Sequence, residues 1–343
     1  MARTYREAGV DVEEAERAVE RIARAAASTL TPSVLAGVGG FGALFRFDPS
    51  AYPDPVLVSS TDGVGTKLKV ALALARHDTI GVDLVNACVN DILVCGADPL
   101  YFLDYLAIGD LRADVVEEIV GGVAAGCAAL GIPLIGGETA QMPDLYRGAD
   151  YDLAGFMVGV VAAADLIDGS GVRAGDALLG LPSSGLHTNG YSLARRVLPE
   201  STWRDSMPDD GRTIGEALLE PHRSYRDEVS ILRRALRARR FDIGALAHLT
   251  GGGWEGNVPR TLPGGLGVEV DTGSWPVPRI FSLIQERGDI ADEEMVRTFN
   301  VGIGMTVVVP AAAAEVALAA LPEACHIGRV VPVDDGAARV RFA

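Results

Sequence analysis

The sequence predicts a two-domain α/β protein, and three observations carry that expectation. The chain has 343 residues, more than one hydrophobic core usually organises. Short apolar runs of strand character alternate along it with segments of helical periodicity. A glycine-rich, charged and aperiodic segment, LIDGSGVRAGD at 166–176, separates two such series near the midpoint. The expected domains are residues 1–167 and 168–343.

Taken in order, residues 12–27 place Val12, Ala15, Val19, Ile22 and Ala26 at helical spacing. Thr31-Pro32 and the glycine-rich run from Gly37 to Gly42 end that pattern in a loop. VLVSST at 56–61 reads as a buried strand, the segment DGVGTK as a turn, and LKVALALA as a helix. From Ile80 to Cys95, Leu84, Val85, Cys88, Val89, Ile92 and Leu93 fall on one side of a helix. Asp83, Asn86, Asn90 and Asp91 occupy an arc of roughly 140° on the other side, at about 100° per residue, and Gly96 caps the end. A strand at 101–108, a helix at 112–130, a strand end at 133–137 and a strand at 152–161 complete the first domain. The second reads as a strand at 176–181, helices from Tyr191 and from about Tyr225 to Arg239, strands near 245, 268 and 305, a helix from 311, and strands to the end.

Composition narrows the function. Hydrophobic residues make up 48% and charged residues 22%, an ordinary globular balance. A formal charge of −16 repels nucleic-acid backbones and anionic lipid surfaces, although a small anionic substrate needs only local N–H groups and a cation or two. Cys88, Cys95, Cys127 and Cys325 lack paired zinc-site spacing, and are expected to be reduced and buried. The first residues contain no uninterrupted apolar segment of signal-peptide type, and no stretch approaches the roughly 20 apolar residues that span a bilayer. A soluble cytoplasmic protein is expected.

Chemistry concentrates in a few motifs. Ser59 to Lys67 (SSTDGVGTK) places a carboxylate, two glycines, a hydroxyl and a lysine between a strand and a helix. Glycines let N–H groups approach phosphate oxygens, a lysine neutralises charge, and a carboxylate holds Mg²⁺. The GxxxxGK[ST] pattern of a Walker A loop is not present there. The polar arc of Asp83, Asn86, Asn90 and Asp91 has no basic residue and includes amides, so metal or nucleotide contact stands level with a plain solvated face. In GGETAQMPD at 136–144, Glu138 follows two glycines at a strand end, where α/β sheets commonly bind ligands.

Nine strings in order carry a resemblance. AGVD (8–11), GGFGALF (39–45), SSTDGVGTKLK (59–69), TIGVDLVNACVNDIL (79–93), FLDYLAIG (102–109), IGGETAQMP (135–143), SSGLHTNGYSL (183–193), HLTGGGWEGNVPR (248–260) and RTFNVGIGM (297–305) resemble the phosphoribosylformylglycinamidine cyclo-ligase (aminoimidazole ribonucleotide synthetase) family. The likeness runs from about residue 5 to about residue 309.

The resemblance implies an α/β (α+β) fold, with an N-terminal mixed sheet that forms a barrel across a homodimer and a C-terminal α/β sandwich. It implies that the first domain binds ATP and the second a phosphoribosyl substrate. The implied reaction phosphorylates the formyl amide oxygen of formylglycinamidine ribonucleotide. The ribosyl-bearing nitrogen then attacks the activated carbon, and phosphate leaves as the imidazole closes. ATP and Mg²⁺ are the implied cofactors, with K⁺ as an optional addition. No nucleic-acid or membrane partner is implied. Such chemistry needs held phosphates, a cation on the transferred phosphoryl group and rigid substrate positioning.

On this likeness, Asp62 and Asp91 are expected to hold the metal, and Lys67 to meet transition-state charge, with Asp91 and His187 the other catalytic candidates. Gly63, Gly65 and Thr66 would cradle phosphate, Asp83, Asn90 and Glu138 would add metal or nucleotide contacts, and the loop bearing Gly39 and Gly40 would close over ATP. For the substrate, Ser183, Ser184, Gly185 and Asn189 lie at the start of a helix suited to a phosphate, with Gly251, Gly252, Asn257 and Arg260 in a second glycine turn. His187 would donate to substrate or shuttle a proton. Thr298 and Asn300 are weaker pocket candidates.

Two positions depart from the family pattern: Gln141 stands where a glutamate is usual, and His222 where a threonine is usual. Rival readings are a thiamine-monophosphate kinase, a selenophosphate synthetase, the amidotransferase-coupled synthetase one step earlier, or a non-catalytic scaffold. The second-domain strings favour the cyclo-ligase, and the first cysteine, Cys88, lies far from where a selenophosphate enzyme needs one. A scaffold has no need for Asp62, Lys67, Asp91 and Glu138 together.

Overall fold

The computed structural model describes residues 11–208 and 210–343, so the first three residues of the AGVD string lie outside the described residues. The chain divides into two compact units: residues 1–92 with 97–164, and residues 93–96 with 165–343.

In the first unit, α1 (Val12–Ala27) starts at Asp11, whose side chain accepts the Glu14 N–H. Strands β1 (Val34–Ala36) and β2 (Leu44–Phe45) pair antiparallel on either side of the glycine loop. There follow β3 (Pro55–Gly63), α2 (Leu68–Leu74), α3 (Ile80–Leu93), β4 (Asp98–Ile108), α4 (Ala113–Leu130), β5 (Leu134–Gln141) and β6 (Tyr151–Ala162). The four longer strands form a mixed sheet in the order β3-β6-β4-β5, with only the β4–β5 pair parallel.

One face of that sheet is packed. Along β4 and β6, Phe102, Leu106, Leu153 and Met157 are buried on alternate positions, as the two-residue strand period requires. A Cβ on Gly155 would collide with Phe102 and with Leu84 of α3, which places α3 on this face. Helices α3 and α4 cross through glycines: a Cβ on Gly81 would lie 2.1 Å from Val123 N, and one on Gly122 2.4 Å from Asp78 O. The other face is open. Here the expectation of a buried strand at 56–61 is corrected: Leu57 is 63% exposed and Phe156, in register with Thr61, 43%. Apolar composition says that a strand can be covered, not that its own chain covers it. Gly96, at φ +81°, closes α3 by a Schellman turn in which the Ala97 N–H donates to Ile92 O.

The second unit contains β7 (Ala177–Pro182), α5 (Tyr191–Val197), α6 (Ile214–Leu218), α7 (Arg226–Arg237), β8 (Ala245–His248), α8 (Gly253–Asn257), β9 (Leu266–Val270), α9 (Arg279–Gly288), α10 (Asp292–Thr298), β10 (Ile303–Val309), α11 (Ala314–Ala320), β11 (Cys325–Pro332) and β12 (Val340–Phe342). Six strands lie in the order β12-β9-β11-β7-β10-β8, antiparallel except for β12 beside β9. Both faces are covered. Leu178 and Val308 pack into one core with Trp254, while Leu179 and Val307 pack into another with Leu232 and Leu236 of α7. Covered on both sides, β7, β8 and β10 read as continuous apolar runs. Helices α6, α9 and α10 were not expected from periodicity; α6 has only five residues, begun by a Thr213–Glu216 capping box.

All four cysteines are free, but only Cys88 and Cys127 are buried; Cys95 and Cys325 are half-buried, which corrects that expectation. No described helix is long and apolar enough to cross a membrane.

Candidate functional site

The candidate site of the first unit forms where β3 runs into α2 beneath α3. Ser60 and Asp62 lie two apart on β3 and therefore share a face. Ser60 Oγ donates to Asp91 Oδ2 of α3 at 2.8 Å, and Asp62 Oδ1 accepts the Gly63 N–H at 2.8 Å. Burial pushes the Cys88 thiol well up, and the Asp62 and Asp91 carboxylates push it the same way, so both charges lie about this one side chain. Gly65 turns the chain at φ +62°, a conformation that favours glycine, and leaves Thr66 exposed.

The next residue turns inward. Lys67 Nζ lies 2.8 Å from Asp83 Oδ1, and both side chains are 0% exposed. Lys67 and Asp83, expected at a phosphoryl group and at a nucleotide, are thus placed against each other inside the unit. A fully buried ammonium neutralised by a carboxylate holds elements together, and removing either partner strands the other charge at a cost of roughly 3–5 kcal/mol. Asn90 is likewise 0% exposed. Of the polar arc on α3, only Asp91 and Asn86 are half-buried.

Glu138 belongs to the other row of the sheet. Asp62 and Asp104 both register with Gly155, and Asp104 registers with Gly137, whereas Glu138 registers with Tyr105. Glu138 is nevertheless brought to Gly39: both line a cavity of about 230 Å³ with Val38, Gly136, Thr139 and Asp104. Gly40 is exposed beside it in the loop. Asp104 was not anticipated. Flanked by Gly137 and Gly155, it is 7% exposed, and burial raises its carboxyl to about 7. A single acidic residue inside the apolar strand FLDYLAI was the available signal.

The candidate site of the second unit joins its two glycine turns. A Cβ on Gly251 would meet Asn189 Oδ1 at 3.3 Å, so the SSGLHTNG and HLTGGG segments touch. Asn300 ties this region together: its Oδ1 accepts from Ser183 Oγ at 3.0 Å and from the Gly302 N–H at 2.9 Å, and its Nδ2 donates to Gly185 O at 2.9 Å. Ser184 Oγ donates to Pro221 O at 2.5 Å. Asn257 points inward, its Nδ2 donating to Gly253 O at 2.7 Å, and so builds the turn rather than facing a ligand.

A cavity of about 550 Å³ opens beside these turns, lined by Gly190, Gly251, Gly252, Arg297 and Thr298 with Glu255, Gly256 and Glu294. Arg297, not Arg260, supplies its cation; Arg260 Nη1 instead donates to Asn257 Oδ1 at 3.4 Å. Arg297 stands in the RTFN string, but the sequence could not show that α10 brings it against Gly253. His187 is 0% exposed, at φ +61°, and stacks on His222 with ring centroids 3.9 Å apart. His187 is thus buried and does not line this cavity.

Two glycine-turned, carboxylate-bearing candidate sites, one in each α/β unit, define a class. Residues 43–161 match the family model described as "AIR synthase related protein, N-terminal domain", and residues 173–341 match its C-terminal counterpart. A "Phosphoribosylformylglycinamidine cyclo-ligase" of Desulfitobacterium hafniense is 52% identical over 309 residues, covering 90% of each chain. One of Nitrosococcus oceani is 50% identical over 343 residues, covering 99% of this chain and 94% of that one. Among solved structures, the hydrogenase maturation protein HypE in complex with ATP shares the fold at TM-score 0.66, with 19% identity, over 96% of this chain and 91% of that one. The chain belongs to the phosphoribosylformylglycinamidine cyclo-ligase family.

Proposed function

We propose that this chain catalyses the ATP-dependent cyclisation of formylglycinamidine ribonucleotide to aminoimidazole ribonucleotide, with release of ADP and phosphate, as a step of de novo purine biosynthesis in the cytoplasm. The observation that carries this reading is a likeness of about half of all residues, over nearly the whole length, to relatives of that name.

The first unit takes ATP. Its exposed or half-buried groups, Gly39, Gly40, Asp62, Gly63, Gly65, Thr66, Asp91 and Glu138, are the ligand contacts, while Lys67 and Asp83 tie the start of α2 to α3, on which Asn90 is buried. Asp62 and Asp91 offer the hard oxygen donors that suit Mg²⁺, which would neutralise polyphosphate charge there. The second unit takes the phosphoribosyl substrate in the cavity beside Gly190, Gly251 and Gly252, where backbone N–H groups and Arg297 suit a phosphate. Asn189 lines the junction of the two turns, and Ser183, Ser184, Gly185 and Asn257 keep its shape. Chain pairing through the open sheet face, burying Leu57 and Phe156, makes the enzyme a homodimer.

The test is direct: purified protein with ATP, Mg²⁺ and formylglycinamidine ribonucleotide should form the imidazole and release ADP only when substrate is present. No substrate-dependent ADP beside an active control enzyme would overturn the reading.

A further inference from the structure

Three histidines from separate segments of the second unit converge in its interior. His187 belongs to the turn after β7, His222 to the segment before α7, and His248 ends β8; they are 0%, 1% and 5% exposed. One ring nitrogen of each lies within 4.8 Å of the others. His222 Nε2 and His248 Nε2 are 3.0 Å apart, with 53° between their rings. Neutral groups are among their other neighbours: Thr188 Oγ1 lies 3.4 Å from His222 Nδ1, the Ser184 N–H donates to His187 Nε2 at 3.3 Å, and the Tyr225 ring centroid is 6.3 Å from that of His187.

We propose that His187, His222 and His248 form a binding site for a divalent first-row transition metal ion such as Zn²⁺. Two imidazole nitrogens facing each other can share one proton or share one ion. Two nitrogens each about 2.0–2.1 Å from a tetrahedral ion stand roughly 3.3 Å apart, so the His222–His248 spacing already suits a common ion. Coordination expels the shared proton to solvent and leaves Thr188 Oγ1 to orient the far nitrogen of His222, as hydrogen-bond partners of metal-bound histidines do.

The third ligand requires movement. The His187 and His222 planes lie only 18° from parallel, and stacked rings cannot aim in-plane lone pairs at one atom. His187 therefore turns about its side-chain bonds to complete the set, giving up its contact with the Ser184 N–H. Three imidazoles select zinc, cobalt, nickel or copper and not Mg²⁺, whose preference is for oxygen, so this site is chemically separate from the proposed ATP site. By tying the β7 turn, the α7 approach and the end of β8 together, the ion stabilises the second unit through mass action.

Co²⁺ reports such a site without ATP or substrate, so this proposal and the ring-closure reading fail separately. Chelator-treated full-length protein is titrated with Co²⁺ and followed by visible absorption, then with Zn²⁺ by equilibrium dialysis and thermal denaturation. The expected result is one ion per chain, d–d bands of a low-coordinate cobalt centre that Zn²⁺ abolishes, and a raised melting temperature. His222→Ala and His248→Ala should each weaken binding by at least about tenfold, the effect produced even by losing an outer-shell partner. His222→Cys should retain the ion and add a sulfur-to-cobalt charge-transfer band. Wild-type protein that is folded by circular dichroism yet takes up no ion overturns the proposal, as does undiminished binding in a folded His222→Ala, His248→Ala double variant.

Discussion

Asp104 gives the clearest pH signature of any single residue. Its carboxyl sits at about 7 in the fold against 3.8 as the ordinary value, because burial penalises its charged form. Between those values the folded chain keeps a proton that the unfolded chain releases, so the stabilisation is full below about pH 4 and is lost as pH rises through about 7. Roughly three pKa units correspond to on the order of 4 kcal/mol. Asp104→Asn should therefore flatten the fall of melting temperature over that range and be more stable than the parent in mild alkali; thermal scans across pH measure it, and an unchanged slope refutes it. At Asp62 the expectation is the reverse, activity without stability. Asparagine keeps an oxygen to accept the Gly63 N–H but loses the charge, so Asp62→Asn should lower turnover on the order of 100-fold with little change in melting temperature. Equal losses of both would make that turn structural. Both aspartates stand in the sequence as visible acidic residues in apolar or glycine-rich surroundings. What the sequence could not separate was Asp62, half-buried at a turn, from Asp83, fully buried on Lys67, because both look like site carboxylates until their neighbours are known.

Among the elements, α3 and α4 show how a glycine can be required by packing against its own helix propensity. Alanine is better than glycine in a helix by about 1 kcal/mol, yet at Gly81 its Cβ would stand 2.1 Å from Val123 N and 2.4 Å from Ile119 O. Backbone atoms cannot yield as a flexible side chain does. Gly81→Ala should cost about 1–3 kcal/mol net in urea denaturation as the helices separate. Gly121→Ala, on the same α4 with nothing within 4 Å of its Cβ, should be neutral or stabilising. A gain in stability at both positions would make propensity, not crossing distance, the ruling effect. The long helices α1, α3, α4 and α7 were legible because each repeats an apolar stripe over three turns or more. Helices such as α6 and α10, of five and seven residues, have too few turns to establish a period.

At the scale of the whole molecule, the two sheets differ in what covers them. The six-stranded sheet is packed on both faces by its own unit. The four-stranded sheet shows Leu57 and Phe156 on its open face, and the proposed pairing with a second chain predicts that Phe156→Asp converts a dimer to monomers in sedimentation equilibrium. A wild-type chain that is monomeric at micromolar concentration would remove that pairing. The sequence by itself determined the alternation of strands and helices, the long elements, the glycine turns and the family, because periodicity, turn chemistry and ordered motifs are local properties of the chain. Tertiary structure alone decided which site residues meet a cavity. It turned Lys67 onto Asp83, drew His187, His222 and His248 together, brought Arg297 to the cavity beside Gly190 and Gly251, and set Asp104 beside Gly39 and Glu138. Each of these depends on segments far apart in the chain being packed together, and burial, which fixes charge state and access, exists only after that packing.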